Sequence, residues 1–145
     1  MPTRTRRPRG GAAAVELAAL LPFLLFLAVI ATDWARLLNH TITIEQAARC
    51  GGVYAADEVT QSESRYYDPD VNKAVEAIVR AEASGLDQSK LPAPTVTKFI
   101  GPDGKPMVQV TVQYNFASLT NFPGVPGNQT LTRHVTMRVY PVTPN

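Results

Sequence analysis

The sequence has a single cysteine, Cys50, and only two histidines, His40 and His134. One cysteine cannot close an internal disulfide, and neither histidine stands at metal-ligand spacing from it or from a second histidine. No glycine-rich phosphate loop occurs, and no nucleophile lies near His134, which falls on the polar face of an alternating segment. The chain therefore offers no catalytic residue, no metal site and no call for a cofactor. Cys50 reads as a small thiol on a helix. Proline is missing between Pro22 and Pro69, which leaves room for one long uninterrupted helix.

Charge is absent from Leu17 to Thr32, and Glu16 is the only charged residue from Ala12 to Thr32. Such a run of 21 residues, at ~1.5 Å rise each, matches a hydrocarbon layer of ~30 Å. Directly before it stand Arg4, Arg6, Arg7 and Arg9. Without those four the chain keeps 10 basic against 12 acidic residues, although its formal net charge is +2. The basic excess is thus a topology signal, keeping the N-terminus in the cytoplasm, and not a nucleic-acid footprint on a folded face.

Beyond the span, Asp33 opens a second pattern. Trp34, Leu37, Leu38, Thr41, Ile42, Glu45 and Ala48 recur at intervals of three and four, as on an amphipathic helix. This predicts one helix from about Ala12 to about Arg49, with Ala56 as its outer limit and Gly51-Gly52 as a bend or stop. A polar stretch, "EVTQSESRYY" (58–67), reads as a loop. A second helix follows, with Asp68 as N-cap, Pro69 in its first turn and an apolar face of Val71, Ala74, Val75, Ile78 and Val79; Gly85 terminates it. Asp68, Asp70 and Asn72 mimic the opening of a calcium loop, but Lys73 stands where that loop needs glycine and Val79 where it needs a bidentate glutamate.

After Pro94 the period changes to 2. "TVTKFI" and "PMVQVTVQYNF" flank "GPDGK", whose Asp103-Gly104 signals a hairpin. Val108, Val110, Val112, Tyr114 and Phe116 point to one side of the second strand. A Pro/Gly-rich loop, "LTNFPGVPGNQ", leads into "TLTRHVTMRVY", where Leu131, Val135, Met137 and Val139 alternate with polar residues. Three strands cannot bury a face alone, so both helices should cover it. The predicted fold class is α+β: a long N-terminal helix, transmembrane then amphipathic, and a second helix packed on a small antiparallel sheet of about three strands.

Glu16 needs an account, since an ionisable group in a span costs ~2.5–3.5 kcal/mol at the bilayer centre. Four readings compete. A secretory signal peptide would be cut after Ala31, but the cut would sever a helix that continues. A plain uncleaved anchor would let Glu16 reach back to the cytoplasmic interface. An anchored enzyme finds no active-site residues in the head. The fourth reading starts from "RRPRGGAAAVELAALLP", which resembles the N-terminus of type IV prepilins: a basic leader, a glycine, four residues, then a glutamate before the apolar helix. Gly11 is that glycine, Ala12 would be the new N-terminus, and Glu16 is the fifth residue after the cut. A free ammonium on Ala12 would share a helix face with Glu16 or meet the glutamate of a neighbouring subunit, fixing their register.

The longer stretch "RGGAAAVELAALLPFLLFLAVIATDWARLLNHTITIEQAARCGGVYAA" is similar to the TadE-like family of minor pseudopilins from tight-adherence (Tad) pili. The family's aspartate and arginine just past the span correspond to Asp33 and Arg36, and its small-residue pattern to Ala47, Ala48, Arg49, Gly51, Ala55 and Ala56. The later "VQVTVQYNFASLTNFPGVPGNQTLTRHVTMRV" also looks like the family's C-terminal strands, while Leu17 stands where many members have an aromatic.

The resemblance implies a basic prepilin-type leader over 1–11, a transmembrane helix over 12–32, its continuation into the head over 33–56, and an extracytoplasmic α+β head over 57–145. It also implies a single-pass protein of the bacterial inner membrane, N-terminus in the cytoplasm, processed after Gly11 by a prepilin peptidase. Its expected partners are the membrane, other pilin or pseudopilin subunits and inner-membrane pilus assembly proteins. The competing expectation is a permanently anchored envelope protein whose head is a protein-binding module.

Overall fold

The structure is a computed structural model, and it describes residues 10–61, 69–120 and 127–139. The Arg4–Arg9 leader, the Asp68 cap and most of the Pro/Gly-rich loop lie outside the described residues. Helix α1 runs Gly10–Gln61, helix α2 Pro69–Glu82, and strands β1, β2 and β3 span Thr95–Ile100, Pro106–Phe116 and Gln129–Arg138. The sheet order is β1-β2-β3, antiparallel throughout, so β2 is central. The fold is α+β, with the two helices and the three strands that the periodicities predict.

The hairpin between β1 and β2 closes over Gly101–Lys105. Gly101 and Lys105 are joined by a backbone bond of 2.8 Å, and Gly104 takes a φ of +74°, the left-handed conformation that glycine adopts without a Cβ penalty. Asp103 in this turn pairs with Arg138 at the far end of β3, tying the two edges of the sheet together.

The inner face of β2 is Val108, Val110, Val112, Tyr114 and Phe116, all buried. Against it lie Leu37, Ile44, Ala47, Ala48 and Ala55 of α1 and Val75, Val79 and Ala83 of α2. On α1 these positions, with Asp33, His40 and Gly51 between or before them, follow one stripe, the pattern of a helix packed on one side. Leu131, Val135 and Met137 of β3 close the same core from the edge.

Two boundaries differ from expectation. Helix α1 continues to Gln61, through the first residues of the predicted loop, and Gly51-Gly52 does not end it. Both glycines are buried. A Cβ on Gly51 would lie 3.1 Å from Val79 Cγ2 and 3.2 Å from Val75 Cγ1, and one on Gly52 would lie 3.4 Å from Met137 Cε. The pair is therefore a seat, letting α2 and β3 approach the helix backbone, and the packing of its flanks carries the helix past its low propensity. Pro22 is likewise accommodated inside α1.

Candidate functional site

Helix α1 is divided by its surroundings. The 18-residue apolar window that qualifies it as a candidate span has a mean hydropathy of 2.5 and is 0% buried within the chain. Leu17, Leu20, Leu21, Phe23, Leu24, Leu25, Leu27 and Val29 all project outward. A helix that is apolar all round and unpacked needs lipid or other helices about it. By length and composition the segment is long and apolar enough to cross a membrane.

Gly11, Ala12 and Glu16 lie exposed in the first turns of this segment. Nothing lies within 4 Å of a Cβ built on Gly11. Among the described residues Glu16 makes no ion pair, so its carboxylate is open to a partner from outside. Asp33 is 17 positions further along, about 26 Å at ~1.5 Å per residue. The structure keeps these two acidic positions apart, one at each end of the apolar run.

Asp33 is the more constrained. Its side chain is wholly buried, a state that acidic residues reach only when paired. The partners come from the turn after β2. Leu119 N–H donates to Oδ1 at 3.1 Å, while Thr120 donates to Oδ2 through its N–H at 3.2 Å and its hydroxyl at 2.9 Å. The Ser118 hydroxyl lies 2.8 Å from Oδ2 and 2.7 Å from the Thr120 carbonyl, and has one proton to give to either. Arg36, one turn along the helix, adds a bond of 3.3 Å to Oδ1. Burial alone would raise the carboxyl pKa, but the donors from Leu119, Ser118 and Thr120 outweigh it and hold the value at about 2. Asp33 is thus a fixed anion.

Arg36 and His40 continue the stripe. The Arg36 guanidinium lies 5.7 Å from the Phe116 ring centroid, in cation–π range. His40 meets Tyr114 and Phe116 edge-on, with centroids at 5.2 and 5.5 Å. Its Nδ1 is buried with no hydrogen-bond partner among the described residues. Burial, then the charges of Arg36 and Lys90, push its pKa below the usual histidine value. Together these residues hold the end of β2 and its turn on α1 at the point where the apolar surface stops.

Among the described residues, concavities border α1. One, ≈ 730 Å³, lies between the helix and β3, lined by Glu45, Arg49, Val53, Arg133, Val135 and Met137. Another, ≈ 330 Å³, lies along the apolar segment, lined by Pro22, Leu25, Phe26, Val29, Ile30 and Thr120. The second joins the Asp33 turn to the exposed segment.

Sequence reasoning singled out Asp33 and Arg36 but not Ser118, Leu119, Thr120 or His40. The available signal was an acidic residue at the first position past a span, which needs partners if buried. Which partners it finds depends on where β2 ends in space.

No curated protein and no solved structure matches the chain. A protein-family model does, over residues 11–52, and its description is TadE-like protein. The matched segment runs from the exposed start of α1 through the apolar surface and Asp33 to the Gly51-Gly52 seat, while the strands of the head lie outside it. Over this segment, 42 of the 145 residues, the chain is similar to the TadE-like family.

Proposed function

We propose that the protein is a minor pseudopilin-like subunit that takes part in assembling a Tad-type pilus or a related secretion filament. In this reading a prepilin peptidase removes residues 1–11 at the cytoplasmic face. Ala12 to Thr32 then holds the product in the inner membrane, and the α+β head stands outside. The role is structural and not enzymatic.

The observation that carries the reading is Glu16. It is the one charge on an exposed apolar helix, five residues after Gly11, inside the family-matched segment. An ammonium on Ala12, four residues away, would supply the counter-charge within the chain or across to a neighbour. The alanines at 12–14, 18 and 19 leave the helix surface small enough for close packing of spans. In this reading the cut falls at the very start of α1, among the first residues of the helix, whose N–H groups have no intrahelical partner. Unwinding those residues into a peptidase groove is therefore inexpensive.

The N-terminal residue of the mature protein, read by mass spectrometry of membranes from a native host, tests the reading. A start at Ala12 is expected. A start at Thr32 would make the apolar run a signal peptide, and an intact leader would favour a permanently anchored binding module. Glu16→Ala should insert normally yet fail in filament assembly, whereas Gly11→Ala should block processing.

A further inference from the structure

Thr120 is hydrogen-bonded to Asp33, yet it also lines the concavity formed by Pro22, Leu25, Phe26, Val29 and Ile30. The turn of residues 118–120 therefore reaches the end of the apolar segment at Thr120. Two observations give its depth. Trp34, the only tryptophan, is exposed next to Asp33, and tryptophan marks the membrane–water interface. Leu119, whose N–H is bonded to Asp33 beside that tryptophan, is 66% exposed.

Irregular backbone at that depth must have its polar groups satisfied by protein, because hydrocarbon offers no hydrogen bonds. Here Asp33 meets it for three donors of the turn. The N–H groups of Leu119 and Thr120 and the Thr120 hydroxyl all end on the Asp33 carboxylate, and the Thr120 carbonyl lies within reach of the Ser118 hydroxyl. On the helix side, the Thr32 hydroxyl is bonded back to the Ala28 carbonyl at 2.8 Å. The large side chain that the turn exposes, Leu119, is apolar.

We propose that the Ser118–Thr120 turn seats in the outer interfacial layer of the bilayer beside the span, with Leu119 facing lipid and the Asp33 carboxylate taking the hydrogen bonds that water would otherwise take. The head is thereby attached to the membrane at two points, the helix and the turn, which sets its tilt on the surface. The occupant is the lipid of the outer leaflet, since the concavity is continuous with the exposed span and almost wholly apolar. The inference rests on the span proposed above, so its test must separate the two.

The full chain, with Cys50→Ser, is reconstituted in phosphatidylethanolamine/phosphatidylglycerol vesicles, and single cysteines at Leu24→Cys, Leu119→Cys or Thr132→Cys carry an environment-sensitive fluorophore. Quenching by iodide in water is compared with quenching by a nitroxide near the headgroup end of the acyl chain. The expected result is several-fold stronger nitroxide quenching at 119 than at 132, with protection from iodide. Asp33→Ala should weaken that quenching at 119 and leave it unchanged at 24.

Iodide access at 119 equal to that at 132, with 24 still in lipid, would overturn the inference alone. Iodide access at 24 as well would remove the span and the inference with it. Protection at 119 that disappears when protein is diluted in lipid, without nitroxide quenching, would assign the turn to a contact between copies and overturn the lipid assignment. Unchanged quenching at 119 in Asp33→Ala would end the role given to that carboxylate.

Discussion

Leu24 and Ile44 are large aliphatic residues on the same helix, five and a half turns apart at 3.6 residues per turn. Leu24 is half exposed in a segment with no fully buried residue among those described; Ile44 is fully buried in the core shared with the second helix and the sheet. The backbone does not distinguish them. The inner half of α1 uses apolar side chains all round and takes its stability from what surrounds the molecule, whereas the outer half uses one stripe and takes it from the head. The two halves meet at Asp33, where a charged residue is buried by a turn from the end of β2.

Substitutions can separate the halves by size of effect. Ile44→Ala is expected to destabilise the head by about 2–5 kcal/mol, the usual range for a buried aliphatic truncation, read as a shift in the unfolding midpoint in detergent. Next comes Gly51→Leu. Its side chain would enter the space of Val75 and Val79, and overpacking of that kind costs about 1–3 kcal/mol in the same measurement. A midpoint unchanged by Gly51→Leu would remove the seat assigned to that glycine.

Acid should act on the junction in two stages. The His40 pKa is lowered on folding, by burial and then by Arg36 and Lys90, so the unfolded chain takes up its proton first as pH falls through 6.5. Stability is therefore lost below 6.5. Asp33, at about 2 in the fold against an ordinary 3.8, contributes stability above 3.8 that is lost as pH falls towards 2. Urea midpoints measured against pH should show both stages. His40→Phe, which keeps a ring against Tyr114 and Phe116, is expected to remove the first stage and leave the second.

The smallest effects sharpen the contrast most. Gly52→Ala meets only ordinary van der Waals distances, so the better helix propensity of alanine should stabilise the head by up to about 1 kcal/mol. Leu24→Ala should leave the head's unfolding midpoint within ~0.5 kcal/mol of the parent. A large loss from Leu24→Ala would mean that the two halves are not energetically separate.

Much of this was legible in the order of residues. The change of period from 3.6 to 2 after Pro94 marked where helices give way to strands, and Asp103-Gly104 marked the hairpin, because those signals depend only on neighbours in the chain. The family match and the N-terminal pattern around Gly11 and Glu16 were equally local. Gly51-Gly52 shows where local reasoning stops. By propensity the pair should bend or end a helix, yet α2 and β3 press against it from both sides and the helix runs on to Gln61. No property of those two residues alone could have shown that.

Asp33 marks the same division from the other direction. By itself the sequence determined that a carboxylate stands at the first position past a charge-free run, and that a helix carries it onward, since hydropathy and periodicity are properties of consecutive residues. Only the tertiary structure decided that this carboxylate is buried and that Ser118, Leu119 and Thr120 are its partners. Those residues lie 85 to 87 positions away, and they meet Asp33 because the register of β2 against α1 ends that strand beside the helix.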